Sequence, residues 1–313
     1  MKLSEVVCLY ISHKRALGYR FRAEEAILRS FCKKLGDGPL QSTKAEAIVA
    51  FLNGNGPVTE YWAKKYRVLS GLYRFSLARG LVKVCPLPAF IPKPTVAAFV
   101  PYIYSQEELK RLLDAVPAAC AGRRVPIEGE VLTTLLLLLY GAGLRVGEAL
   151  ALTMGDVDLR QKYLHIRETK FFKSRLVPLG KDLTVLMTDY VFRGHRRNMV
   201  PSEAPLFCFR DGSPLSLSAA RSAFRRLRLH AGVLREGGPR RQPRLHDLRH
   251  TAAVHRLIAW YRSGADLQEL LPKLATYLGH VDLSATQRYL TMTPELLRQA
   301  SLRFEHYAMG EKP

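Results

Sequence analysis

The feature that most restricts this chain is a run of prolines. Pro86, Pro88, Pro92, Pro94 and Pro101 fall within residues 85–104. Proline removes a backbone donor and fixes φ, so neither a helix nor an inner strand can pass through such a stretch. The chain therefore divides into a helical segment over 1–84, a proline-rich linker over 85–104, and a larger part over 105–313. With 313 residues, each part is long enough for its own core.

The first part reads as a bundle. Leu3, Val6, Tyr10 and Leu17 recur at helical spacing, as do Ala23, Ile27, Phe31 and Leu35. Thr43 and Glu46 have the spacing of a capping box ahead of Ile48, Phe51 and Leu52. Pro57 and Thr59 open a fourth helix that carries Trp62, Tyr66, Leu69, Leu72, Tyr73 and Phe75 and stops near Gly80. In the second part, Ser105 and Glu108 form another capping box. Residues 105–116 and 128–142 are predicted helical, and 163–168 and 175–179 are predicted strands of a hairpin. From Gly180 onward the pattern is mostly helical. The fold class is mainly α with a small β-hairpin or sheet.

Charge bears on the partner. The formal net charge is +21. The first 100 residues carry +10 of it and the remainder +11, so the excess is not a tail. Such a balance points to a polyanion, with nucleic acid ahead of a membrane surface. Candidate phosphate contacts are Lys64, Lys65, Arg67 and Arg74 in the bundle, and Lys173, Arg175, Arg240 and Arg241 beyond it. Each taken alone reads equally well as a solvated cation. Cys8, Cys32, Cys85, Cys120 and Cys208 are scattered without a CxxC pair, which argues against a zinc site or disulfide framework and predicts buried, reduced thiols. The N-terminus lacks a signal-peptide apolar region, and the longest apolar stretch, Val131 to Tyr140, is too short to span a bilayer. A cytoplasmic, nucleoid-associated protein without a membrane partner is expected.

Five short motifs carry chemistry. They are Gly143-Leu144-Arg145-Val146-Gly147-Glu148; Lys170 ahead of Arg175-Leu176-Val177-Pro178-Leu179; Leu245-His246-Asp247-Leu248-Arg249-His250-Thr251; Leu278-Gly279-His280; and Thr286-Gln287-Arg288-Tyr289, whose tyrosine lies nine residues past His280. Singly, each has a structural explanation: Arg145 and Lys170 as surface cations, His280 as a helix C-cap beside Gly279, Tyr289 as one of 14 tyrosines. Gly141-Ala142-Gly143 lacks the Lys-Ser/Thr of a phosphate loop and follows a helix, so nucleotide binding is not expected there.

Jointly, and in this order, the motifs resemble the tyrosine recombinase (phage-integrase-like, Xer-related) family. The resemblance covers nearly the whole chain. It implies an N-terminal helical core-binding (SAM-like) domain over 1–84 and an α+β catalytic domain over 105–313 that ends in a C-terminal interaction helix. It implies a catalytic set of Arg145, Lys170, His246, Arg249, His280 and Tyr289, with double-stranded DNA as substrate and a homotetramer on two DNA sites. The chemistry suits these residue types. Guanidinium groups match the charge that develops on a phosphodiester under attack, and a phenol can act as nucleophile and hold the strand as a 3′-phosphotyrosyl link. By resemblance, Lys170 is the general acid, His246 the general base for Tyr289, and His280 a hydrogen-bond donor to the phosphate. Neither cofactor nor metal is required.

Departures from the family pattern matter. The hairpin turn reads Thr169-Lys170-Phe171-Phe172-Lys173, so Lys173 competes with Lys170 as proton donor. The stretches on either side of Gly264-Ala265-Asp266 are each four residues longer than in Xer relatives, about one helical turn. Pro272 stands in the second of them. An additional N-terminal arm-binding domain is not evident, which fits a two-domain recombinase carried by a mobile element. The amphipathic segment 294–309 can pack on its own domain or on a neighbouring protomer, and the second is favoured by its place just after Tyr289. The alternatives are a type IB topoisomerase-like nicking and closing enzyme and a non-catalytic DNA-binding relative.

Overall fold

In the N-terminal segment the apolar stripe folds into four helices: α1 (Leu3–Ala16), α2 (Arg22–Leu35), α3 (Ala45–Asn53) and α4 (Glu60–Ala78). The computed structural model describes residues 1–56, 58–89, 91–92, 100–122, 126–167, 174–193, 201–280, 284–291 and 294–309. The chain separates into two units, Met1–Phe99 and Val100–Pro313. Val6, Leu28, Phe31, Ile48, Leu52, Leu69, Leu72 and Tyr73 form the centre of the first. Leu17 and Ala23 lie outside that stripe, because α1 ends at Ala16 and Ala23 faces solvent. Thr43 does not cap α3: Lys44 occupies the N-cap with extended backbone and no side-chain cap. Thr59 does cap α4, accepting from the Tyr61 amide at 3.3 Å; Pro57 lies outside the described residues.

The stretch expected as linker is packed at both ends. Pro88 accepts a hydrogen bond from Tyr66 in the first unit at 3.0 Å. In the second unit, the buried Tyr104 donates its amide to the Thr251 hydroxyl at 3.0 Å and its own hydroxyl to the Arg244 carbonyl at 2.9 Å. Residues 90 and 93–99 lie outside the described set.

The second unit starts with the expected capping box. The Ser105 hydroxyl accepts from the Glu108 amide at 3.2 Å, and the Glu108 carboxylate accepts from the Ser105 amide at 2.9 Å. Helices α5 (Gln106–Asp114), α6 (Val116–Cys120), α7 (Gly129–Gly141) and α8 (Val146–Ala149) follow. The run of leucines makes α7 a central element, buried at Leu132, Leu135, Leu136, Leu138 and Leu139. The expected hairpin is part of a three-stranded antiparallel sheet: β1 (Val157–Asp158), β2 (Tyr163–Ile166) and β3 (Arg175–Pro178). Leu164 pairs with Val177 and Ile166 with Arg175. That register turns Leu164, Ile166 and Val177 into the core. The hairpin turn, with Lys170 and Lys173, lies outside the described residues.

Helices α9 (Lys181–Arg193), α10 (Leu217–His230), α11 (Asp247–Arg262), α12 (Leu267–Leu278), α13 (Ser284–Gln287) and α14 (Pro294–Ala308) complete the unit. Pro272 stands within α12. A second apolar cluster joins Val254 and Leu257 of α11, Leu274 and Leu278 of α12, Tyr289 and Leu296. The favoured placement of segment 294–309 is corrected at its start. Leu296 is fully buried in its own unit, and Arg262 pairs with Glu295 at 2.8 Å. Leu297, Leu302, Phe304 and Met309 are exposed. The cysteines carry no disulfide, but only Cys120 is buried; Cys8 is exposed on the outer face of α1 and Cys85 is exposed in the coil after α4. Among the described residues, no helix is long and apolar enough to cross a membrane.

Replacing Ser105 by Ala leaves the Glu108 amide without its cap and is expected to lower stability by about 1 kcal/mol in urea unfolding.

Candidate active site

Three arginines converge on one helix end. A helix C-terminus leaves carbonyls without intrahelical partners. At the end of α12, Arg175 donates to the Tyr277 carbonyl at 3.2 Å, Arg249 to Leu278 at 2.6 Å and Arg145 to Gly279 at 2.8 Å. Gly279 takes the left-handed conformation, φ +68, that ends the helix. A Cβ there would also meet the Arg175 guanidinium at 2.8 Å. Arg249 donates in addition to the Gly143 carbonyl at 2.6 Å, which ties α11 to the turn before α8.

Three guanidinium groups this close repel each other, and Glu148 offsets that. Its carboxylate accepts from Arg145 at 2.6 Å and takes both arms of Arg175, at 3.1 and 2.9 Å; Arg249 stands 3.9 Å away. Burial by itself would raise the Glu148 carboxyl, but the hydrogen bonds and charge of Arg175, then Arg145, outweigh it and hold it down to about 2. Arg249 is 2% exposed. Burial, then Arg145, pushes it down to about 10, so it stays a cation at neutral pH.

Around this cation cluster stand three histidines and a tyrosine. His280 follows the capped end of α12 and meets the Thr286 hydroxyl through Nδ1 at 2.6 Å. Its ring stacks toward that of Tyr289, with centroids 6.0 Å apart. Tyr289 lies in a 3-10 turn, Arg288–Thr291, and is 3% exposed. Its hydroxyl is 3.1 Å from Nδ1 of His250. His246 meets His250 edge on, with centroids 5.0 Å apart. Burial, then the charge of Arg249, lowers the pKa of His246. Burial, then His246, Arg244 and Arg249, lowers His250 to about 3. Burial, then Arg249 and Arg145, lowers His280 to about 4. All three rings are neutral at pH 7.

The structure thus brings together Arg145, His246, Arg249, His280 and Tyr289, from segments more than a hundred residues apart in sequence. Lys170 and Lys173 lie outside the described residues. His246 lines a groove of about 1030 Å³ with Arg145, Arg221, Arg225, Arg235 and Arg244. His250 stands within hydrogen-bonding distance of the phenol.

Two candidate phosphate contacts are corrected. Arg175 is spent on Glu148 and the end of α12, with its side chain 13% exposed. Lys65 is buried, donates to the Phe51 carbonyl at 2.6 Å and lies over the Phe51 and Tyr61 rings. Lys64, Arg67 and Arg74 line a second groove of about 720 Å³ on the first unit, with Tyr10, Lys14 and Arg79. Arg241 is exposed, while the Arg240 side chain lies outside the described set. Arg221 and Arg225 were missed. Their spacing of four on α10 puts them on one helix face, a signal present in the sequence. Glu148 and His250 sit inside the GLRVGE and HDLRHT motifs, and their partners Arg175 and Tyr289 lie far from them in sequence.

The chain belongs to the phage integrase family, whose model matches residues 103–295, and it is a tyrosine-type site-specific recombinase. It is 34% identical to y4rB of Sinorhizobium fredii, a protein named for an inferred integrase/recombinase role, over 95% of each chain. It is 30% identical to the tyrosine recombinase XerD of Corynebacterium glutamicum over 74% of this chain and 70% of that one. Among solved structures, it is similar to the Tn1549 transposon integrase in complex with transposon right end DNA, with a TM-score of 0.70 over 98% of this chain and 100% of that one at 16% identity. It is also similar to a lambda integrase dimer bound to a core site, with a TM-score of 0.66 over 94% and 97% at 18% identity. These two likenesses are likenesses of fold.

Removing the Glu148 carboxylate strands three cations. Glu148→Ala is expected to cost about 3–5 kcal/mol by urea unfolding, far above a surface substitution. Acid should also destabilise the fold. The unfolded histidines take up protons as pH falls below 6.5, while His280 and His250 in the fold resist until about 4 and about 3. Their contribution is complete above pH 6.5 and is lost as pH falls through that window. Unfolding free energy is expected to drop by roughly 1–3 kcal/mol between pH 7 and 4, and His280→Gln should flatten the profile.

Proposed function

We propose that this chain cuts and rejoins DNA strands at specific sites through a covalent 3′-phosphotyrosyl bond on Tyr289. The observation that carries this reading is the placement of Tyr289 beside His280 and the Arg145–Arg249 pair of the same chain. Arg145 and Arg249 would hold the non-bridging oxygens of the scissile phosphate. Each guanidinium has five donors and spends only part of them on carbonyls, so donors remain for an anion. His280 and His246 would add hydrogen bonds to the phosphate. Lys170 or Lys173 would protonate the departing 5′-oxygen. The phosphotyrosyl ester keeps the bond energy, so rejoining requires neither ATP nor metal.

The basic grooves on the two units are the surfaces proposed to meet duplex DNA: Lys64, Arg67 and Arg74 on the first, Arg221, Arg225 and Arg241 on the second. The working form is proposed to be a homotetramer on two duplexes. In support, a structural relative, lambda integrase, is known as a tetramer bound to a Holliday junction. The exposed Leu297, Leu302 and Phe304 of α14, with Met309 just past its end, are proposed to face a neighbouring protomer. Carriage by a mobile element fits the likeness to the Tn1549 integrase, and a cytoplasmic, nucleoid-associated location fits a DNA substrate. The domain division proposed is a core-binding bundle over 1–84, a linker over 85–104 and a catalytic domain over 105–313.

Incubated with a library of nicked duplexes whose centre is randomised, the wild-type chain is expected to trap DNA in a detergent-stable complex, while Tyr289→Phe traps none. Sequencing the trapped strands gives the target. Equal yields from the two proteins would exclude the reading.

A further inference from the structure

The HDLRHT motif holds two histidines, and it is His250 whose ring nitrogen stands at 3.1 Å from the nucleophile. His246 and His250 are four residues apart, so they stand one above the other on the same face at the start of α11. His246 lies toward the groove that contains Arg145. His250 lies a turn deeper, with Nδ1 3.1 Å from the Tyr289 hydroxyl and the two rings 5.6 Å apart. That distance is within the reach a general base requires before substrate arrives.

We propose that His250, and not His246, is the base that removes the Tyr289 proton during strand cleavage and returns it during rejoining. The proposal rests on the strand-transfer reading above. With Nε2 protonated, Nδ1 offers its lone pair to the phenol. As the attack proceeds, the Oη–H bond breaks and an Nδ1–H bond forms. The Oη–P bond forms as the bond from phosphorus to the 5′-oxygen breaks, and that oxygen takes its proton from the lysine acid. In the rejoining step, a 5′-hydroxyl gives its proton to the now neutral lysine as its oxygen bonds to phosphorus, the Oη–P bond breaks, and the imidazolium of His250 gives its proton back to Tyr289.

The charges facing His250 explain how it can serve. At neutral pH they come from Arg249 on its own helix and from Arg244 before it, while the neutral rings of His246 and His280 would add charge only in acid. In the DNA-free chain these groups and burial keep the ring neutral, so the acceptor is ready. A phosphate seated on Arg145 and Arg249 brings negative charge that offsets those cations. His250 therefore becomes a stronger base as DNA binds, and the resting chain keeps its phenol protonated.

The test uses the full chain and the nicked duplex library, and reads the rate of covalent trapping. His250→Gln and His250→Asn are each expected to slow trapping by about a hundredfold, with melting temperatures confirming that they fold. Asn keeps a hydrogen-bonding group near the position of Nδ1 but cannot carry the proton. Replacing Tyr289 by 3,5-difluorotyrosine, a more acidic phenol, is expected to recover most of the His250→Gln loss and little of any His246→Gln loss. Trapping by either His250 variant within threefold of wild type would overturn the proposal. So would recovery by the fluorinated phenol in His246→Gln alone. If the wild-type chain itself trapped no DNA, the strand-transfer reading would fall first, and this one with it.

Discussion

The end of α12 is the constraint on which the rest of the site depends. Its last carbonyls, from Tyr277, Leu278 and Gly279, point where a helix carries partial negative charge, and guanidinium groups from three separate segments occupy that position. Arg145 comes from the turn before α8, Arg175 from β3 and Arg249 from α11. Each could have been a flexible surface side chain. Donation to a buried carbonyl fixes the orientation of all three, and Glu148 supplies the counter-charge without which their clustering would be prohibitive. His280 is the first residue past this junction. Its backbone position follows from the capping, and its ring is held in addition by the Thr286 hydroxyl.

This arrangement explains why arginine is needed. Lysine could neutralise Glu148, but a single ammonium could not reach a carboxylate and a carbonyl in fixed directions and still present donors to a phosphate. Arg175 shows the internal extreme of that versatility, because its hydrogen bonds go to Glu148 and the Tyr277 carbonyl. Arg145 shows the shared case: it holds Glu148 and Gly279 and yet lines the groove. The difference lies in depth, since the Arg145 side chain is 34% exposed and that of Arg175 only 13%.

Much of this was legible in the sequence because local patterns coincide with local causes. The Ser105 cap, the buried leucine run of α7 and the strands around Leu164 and Val177 follow from spacing alone. The catalytic motifs could be read because their order and neighbours repeat a family pattern. What escaped was burial across elements. Lys65 and Arg175 are basic residues among basic residues, and nothing nearby in sequence says that Phe51 or Tyr277 will accept from them. Thr43 has the right partner at the right distance, yet the chain starts α3 one residue later, at Ala45. His250 follows Arg249 directly, but its role depends on where a turn 39 residues away puts a phenol. Leu296 likewise looked available to a neighbour, whereas the cluster around Tyr289 needs it at home; a truncation that removes it would open that core.

The near-complete burial of Tyr289 has a kinetic consequence. A nucleophile packed among Val254, Leu257, Leu274 and Leu296 is shielded from solvent and from stray electrophiles. The DNA-free chain is in that sense a latent enzyme. Before the first strand is cut, the phenol must be unmasked, so the onset of reaction is set by a local rearrangement of the protein before any chemical step. Time courses should begin with a lag rather than a burst, and the length of that lag should respond to changes in the apolar neighbours of Tyr289 more than to changes in the arginines.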